Sequence, residues 1–177
     1  MSSEAPAGAD FVERLKQVHR HYPTGVTIVT THNHGRPYGL AVNAFSSLSL
    51  EPPLVLVCVA SSSSTYPRLF DGEVIGINIL AHDQVEVAAN FARSGGDKFV
   101  DLGWSQGENG APLLDGVCAW LELRIRTRVP AGTHTIFIGD VLAAQAYGSP
   151  PLLYLGGGFY DGSRLVAVDR EKKKEDQ

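Results

Sequence analysis

The sequence predicts a mainly β domain, a small β-barrel with few helices, and three observations carry that expectation. Val117, Ala119, Leu121, Leu123 and Ile125 alternate with Cys118, Trp120, Glu122, Arg124 and Arg126, the period of two that marks a long strand with one wet face. Residues 26–31, 54–59, 74–80, 135–143 and 152–155 are apolar and mostly β-branched, and each run is too short for an ordinary helix. These segments make about six strands, and no regular alternation of strand with helix suggests a parallel α/β sheet.

In chain order, Asp10 followed by Glu13 has the spacing of a capping box, and Phe11, Leu15 and Val18 recur at helical spacing, which predicts a short amphipathic helix. Pro23 and Gly25 end it. Residues 26–31 and 38–45 read as two strands joined by a turn at 32–37, a hairpin. Pro52 and Pro53 introduce the run at 54–59. Tyr66, Pro67, Arg68, Leu69 and Phe70 suit a short helix, because proline is tolerated where the first turn has unbonded amides. Asp83 and Glu86 repeat the capping-box spacing ahead of a second amphipathic helix reaching about Arg93, which Gly95 and Gly96 stop. The long strand at 117–127 turns at 130–133 into the strand at 135–143, and the run at 152–155 closes the set before Gly156, Gly157 and Gly158.

The chain has 177 residues, 44% of them hydrophobic, so one domain can bury about two thirds of its unfolded surface without a staple. The domain is expected over residues 11–168, with a flexible tail at 1–10 and a charged tail at 169–177. Cys58 and Cys118 both lie in apolar strands, which points to reduced, buried thiols and a cytoplasmic protein. A net charge of −4 with scattered basic residues argues against nucleic acid. No apolar run approaches the ~20 residues of a membrane span, and the N-terminal residues lack the pattern of an export signal.

The sequence contains no GxSxG elbow, GxxxxGK[ST] loop, HExxH or CxxC, so the chemistries those motifs support are disfavoured. The glycines at 156–158 do not complete GxGxxG. His32 and His34 sit in a turn without a neighbouring carboxylate or thiol, and no metal site is expected. Three segments suit a phosphorylated ligand: the run NAFSSLS; Ser61, Ser62, Ser63, Ser64 and Thr65 before a helix; and residues 92–99 with Arg93 and Lys98. Hydroxyls and free amides can cradle an anion, and one or two cations complete the charge balance. Taken alone, a serine run is more often just a solvated loop.

Taken together, PTGVTIVTT, GLAVNAFSSLSLEPPLVLVCV, SSSST, NFARSGGDKF and AGTHTIFIGDV, in that order over residues 11–160, resemble the flavin reductase-like domain family. The resemblance implies an FMN-binding split barrel that acts as a homodimer. It implies reduction of FMN or FAD by NADH or NADPH, with the reduced flavin supplied by diffusion to a partner monooxygenase. By position it implies that Val42, Asn43, Ala44, Phe45 and Ser46 line the isoalloxazine and ribityl chain, and that Ser61, Ser62, Ser63, Ser64 and Thr65 hold the flavin phosphate with Arg93 and Lys98. His134 falls where the family's GDH motif places a histidine beside the nicotinamide, although Thr133 replaces the aspartate. Tyr160, with Phe159 as an alternative, falls where an aromatic covers that ring. Thr133 also leaves open a second reading, a flavin-binding storage or electron-transfer module without NAD(P)H turnover. The protein's part in hydride transfer is to position two rings, which agrees with the lack of any catalytic dyad.

Overall fold

The computed structural model describes residues 8–168, so residues 1–7 and the charged tail at 169–177 lie outside the described residues. The elements run α1 (Ala9–Arg20), β1 (Thr24–Gly25), β2 (Thr27–Asn33), β3 (Arg36–Val42), β4 (Phe45–Leu50), β5 (Pro53–Ala60), α2 (Tyr66–Asp71), β6 (Val74–Ile79), α3 (Val85–Ala92), β7 (Trp104–Gln106), β8 (Pro112–Leu114), β9 (Ala119–Ala131), β10 (His134–Ala146), β11 (Leu152–Leu155) and β12 (Gly158–Asp161).

Seven strands form one antiparallel sheet in the order β3-β2-β6-β9-β10-β5-β4. Its edge strands, β3 and β4, are joined by Asn43 and Ala44 alone. A flat sheet of this width would hold its edges about 29 Å apart at ~4.8 Å per strand, and the three Cα steps from Val42 to Phe45 reach about 10 Å. The sheet must therefore curl until its edges meet. Ala44 O accepts from Cys58 N at 3.0 Å, extending the β4–β5 ladder up to the seam, and the result is a barrel split between β3 and β4. Smaller sheets, β1-β11-β12 and β7-β8, sit beside it.

The inside is filled by Val29, Leu40, Val57, Ile77, Leu123 and Phe137 from six of the seven strands, with the partly buried Phe45 of β4 packed against them. A second apolar layer outside the barrel packs α3 and its loop through Ile28, Leu80, Phe91, Phe99 and Leu114. Gly39 permits that contact, since a Cβ there would stand 2.6 Å from Phe91 Cε1.

Several expectations need correction. Neither capping box forms: Gly8 and Gln84 occupy the N-cap positions and no side chain caps either helix, so α1 starts one residue before Asp10. The expected single strand over residues 38–45 is β3, which starts earlier and ends at Val42, followed by a separate β4 paired with β5. The turn at 32–37 narrows to His34 and Gly35, both at positive φ. Cys58 and Cys118 are unbridged but half-buried rather than buried.

The outer face of β9 is wet only in part. Arg124 and Arg126 are exposed, but Glu122 is fully buried. Residues 107–111 fold over it, and its carboxylate accepts from Asn109 N at 3.1 Å, Asn109 Nδ2 at 3.0 Å and Ala111 N at 3.1 Å. Periodicity names the face a residue occupies. It does not report a loop arriving from a dozen residues upstream to cover it.

Candidate functional site

A cleft of about 940 Å³ opens where the barrel seam meets the end of α1 and the β11–β12 turn. Gly25, Ala44, Gly156 and Gly157 form part of its wall, and their minimal side chains let a flat group approach backbone amides. Tyr22, Phe45 and Tyr154 supply aromatic surface, while Lys16, His19 and Arg20 from α1 make one rim basic. Thr24 contributes the most telling atom: its Oγ1 is enclosed and has no hydrogen-bond partner. Buried hydroxyls are almost always satisfied, so a bound polar group is the natural partner for this one.

A second cleft of about 350 Å³ lies at the opposite end of β3, lined by Arg36, Tyr38, Ser64, Thr65, Arg68 and Lys98 among others. Lys98 is 9% exposed, and its Nζ donates to Phe91 O at 3.0 Å and to Gly39 O at 3.3 Å. Burial pushes its pKa down from the usual lysine value. Thr65 is buried, and its hydroxyl donates to the same Gly39 carbonyl at 3.0 Å.

The structure distributes the sequence-predicted residues as follows. Asn43, Ala44 and Phe45 line the first cleft, Val42 points into the barrel core, and Ser46 is exposed on β4 outside the cleft wall. Ser64, Thr65 and Lys98 come together in the second cleft. Ser61 is turned away, its Oγ donating to Thr133 O at 3.0 Å; Ser62 is exposed; Ser63 Oγ accepts from Thr65 N at 3.2 Å. Arg93 lies outside both clefts, exposed, with Nη2 3.4 Å from Asn90 Oδ1. His134 begins β10 opposite Ala60, exposed, with Nδ1 3.0 Å from Thr133 Oγ1, and it lines neither cleft. Tyr160 is 52% exposed, and its ring lies over Gly158. Phe159 instead packs edge-on against Tyr154 at 5.6 Å.

The family model for the flavin reductase like domain matches residues 19–163. This chain belongs to the flavin reductase-like domain family. FMN reductase (NADH) SmoA from Agrobacterium fabrum is 41% identical over 143 residues, covering 81% of this chain and 82% of that protein. The reductase component of 4-nitrophenol 4-monooxygenase/4-nitrocatechol 2-monooxygenase from Rhodococcus opacus is 39% identical over 145 residues, covering 82% and 78%. Among solved structures, NADH:FAD oxidoreductase SgcE6 of Streptomyces globisporus C-1027, in complex with NAD and FAD fragments, superposes with a TM-score of 0.81 at 33% identity, covering 98% of this chain and 100% of that one. Against three longer curated relatives, this chain spans 64%, 45% and 48% of their length.

Within this flavin reductase-like domain, the sequence reading passed over Thr24, Tyr154, Arg36 and Arg68. Thr24 lies inside the PTGV segment and carries no sign of its unsatisfied hydroxyl. Arg36 and Arg68 stand 32 positions apart and line one cleft because α2 folds back against β2, the strand paired with β3. No spacing rule could pair them.

The far end of β12, away from the β11–β12 turn, is held by Asp161, whose carboxylate accepts from Ser163 N at 2.8 Å and lies 3.2 Å from His82 Nδ1. The Ser163 hydroxyl and amide, then His82 and Arg164, hold the Asp161 pKa below its usual value. A depressed carboxylate pKa adds stability above the unfolded value of about 3.9, and that stability is lost as pH falls through the folded pKa. The protection factors against hydrogen exchange at residues 158–165, which divide out the intrinsic pH dependence of exchange, are therefore expected to fall as pH drops below about 4, and Asp161→Asn should remove that pH step. An identical pH step in the variant would show that another group anchors this end of β12.

Proposed function

We propose that this domain reduces FMN or FAD with NADH or NADPH and delivers the reduced flavin by diffusion to a partner monooxygenase. The observation that carries the reading is the first cleft: aromatic, lined by small residues, and holding the orphan hydroxyl of Thr24. Relatives named as an NADH-dependent FMN reductase and as a monooxygenase reductase component support it.

A flavin bound here supplies a hydride acceptor, and transfer from a nicotinamide requires the two rings at about 3–3.5 Å with water excluded. Asn43, Ala44 and Phe45 seat the flavin ring, with Val42 and Ser46 continuing the strand on either side. Thr24 Oγ1 hydrogen-bonds the ring's polar edge. Thr65, Ser64 and Lys98 face the phosphate end, with the rest of the serine run and Arg93 around them. His134 and Tyr160 orient the nicotinamide.

A homodimer is part of the proposal. Leu54, Leu56 and Cys58 on β5 and Ile136 and Ile138 on β10 face outward only half-covered, where an antiparallel sheet normally shows polar residues to water. On α1, Phe11, Leu15 and Val18 are 41%, 43% and 66% exposed, and none of its residues is buried. A second copy covers these surfaces and completes the site around His134, which a single chain leaves apart from the cleft. The two unbridged thiols support placing the protein in the cytoplasm.

Anaerobic mixing with FMN or FAD and either nicotinamide donor tests the reaction. The flavin's visible absorbance should bleach faster than in a protein-free control, and His134→Ala should lower kcat/KM about tenfold, roughly 1.4 kcal/mol of barrel-held positioning. An unchanged rate in the variant removes His134 from the site. Flavin that binds and never bleaches with either donor overturns the reductase and leaves a storage or electron-carrying module.

A further inference from the structure

We propose that Thr133 and Ser61 are positioning residues for His134, the Thr133 hydroxyl orienting the imidazole ring and Ser61 holding Thr133 in place. The inference rests on the role given to His134 above and names the residues through which that ring is set.

His134 has little of its own to hold it. Its side chain is exposed, and among the described residues no carboxylate lies within 4.0 Å of it. An exposed side chain without a fixed partner exchanges rotamers within picoseconds to nanoseconds. The one hydrogen bond its ring makes among the described residues joins Nδ1 to Thr133 Oγ1 at 3.0 Å. That bond engages one ring nitrogen and leaves Nε2 for a ligand. A hydroxyl thus orients the ring without adding a charge beside it, where the GDH pattern has an aspartate.

Thr133 can orient a ring only if it is itself fixed, and three features of the chain fix it. Gly132, with φ at 60°, and Thr133 are the central residues of the tight turn that pairs Ala131 of β9 with His134 of β10. Ser61, one residue past the end of β5, donates to the Thr133 carbonyl twice, from its N at 3.0 Å and from its Oγ at 3.0 Å. On the other side of His134, Thr135 is buried, and its hydroxyl lies 2.8 Å from the Tyr66 hydroxyl. The Tyr66 ring packs edge-on against Phe137 of the barrel core, with centroids 6.1 Å apart.

The side-chain bond from Ser61 is the telling one. Its backbone N–H already extends the β5–β10 ladder by one rung, as any residue but proline could do. Ser61 is exposed, so water would serve its hydroxyl equally well and the fold has no need of a second donor on that carbonyl. A second donor does restrict the peptide plane that carries Thr133. Both chain neighbours of His134 are therefore tied to the segment 61–66, and its ring stands between them on a single hydrogen bond.

The test compares Thr133→Val, Thr133→Ser and Ser61→Ala by steady-state NADH oxidation at saturating FMN, with FMN dissociation constants read by fluorescence. Thr133→Val should lower kcat/KM for NADH about fivefold, chiefly through KM, the factor that one hydrogen bond of ordinary strength supplies. Thr133→Ser should restore it to within about twofold, and Ser61→Ala should lower it about twofold. The FMN constants should stay within about twofold of wild type. On a His134→Ala background Thr133→Val should cost nothing further, because the ring it orients is gone. A loss that persists undiminished on that background overturns the proposal, as does wild-type kinetics in Thr133→Val. The ring-nitrogen NMR shifts of His134 should change in Thr133→Val and return in Thr133→Ser, and identical shifts in all three proteins overturn the brace whatever the turnover. A wild-type protein that never oxidises NADH overturns the reductase reading instead.

Discussion

Glu122→Ala is expected to lower the melting temperature by about 10 °C. The substitution strands Ala111 N in a buried site and Asn109 N and Nδ2 at part-buried positions; a donor left without a partner costs about 1–3 kcal/mol, with the two Asn109 donors at the low end of that range because water can reach them. A total of about 4 kcal/mol, at roughly 2–4 °C per kcal/mol for a domain of this size, gives the predicted shift. Glu122→Gln should fall between, because its amide keeps one acceptor and turns an N–H toward the same donors. Gly107→Ala should resemble Glu122→Ala, since a Cβ on Gly107 would collide with the Glu122 carboxylate. Thermal denaturation of the three variants checks this. A shift below about 2 °C for Glu122→Ala would mean that water replaces the carboxylate at little cost.

Ala44→Trp is expected to weaken FMN and FAD binding by at least about a hundredfold, a loss of roughly 2.7 kcal/mol, and to leave the melting temperature within about 2 °C of wild type. Ala44 is exposed at the barrel seam and lines the first cleft, so an indole there occupies the ring's space without disturbing the core. The hydrogen bond Ala44 accepts from Cys58 N on β5 uses its carbonyl, which the substitution keeps. Isothermal titration with each flavin reads the effect. Unchanged affinity would move the ring out of this cleft and take Asn43 and Phe45 with it.

The β-rich class was legible because the alternation of β9 and the short apolar runs of β5 and β6 are written into the residues themselves, although only in β9 does the pattern also declare which face each residue takes. The helices α2 and α3 were legible for a similar local reason, since Pro67 and the glycine pair after Arg93 act within a turn of the chain. The short strands were not. Pro112, Leu113 and Leu114 of β8 are strand only because the chain brings Trp104, Ser105 and Gln106 alongside. β1 exists through its pairing with Tyr154 and Leu153, some 130 residues later.

The site divides along the same line. The residue types that seat a ring and bind an anion could be named from the chain, because side-chain size, hydroxyls and charge are properties of individual residues. Their grouping was decided by the tertiary structure. Barrel closure sets Ala44 in one cleft with Thr24 and Gly157, and the return of α2 against β2 sets Arg68 over Tyr38 and in one cleft with Lys98. The same packing leaves Arg93 in solvent and buries Glu122, two acts that local pattern cannot foresee because each depends on a segment distant in the chain. Sequence determined what chemistry this protein could carry. Long-range packing decided which of those groups share a cleft, because distance in space is set by the closed sheet and not by separation along the chain.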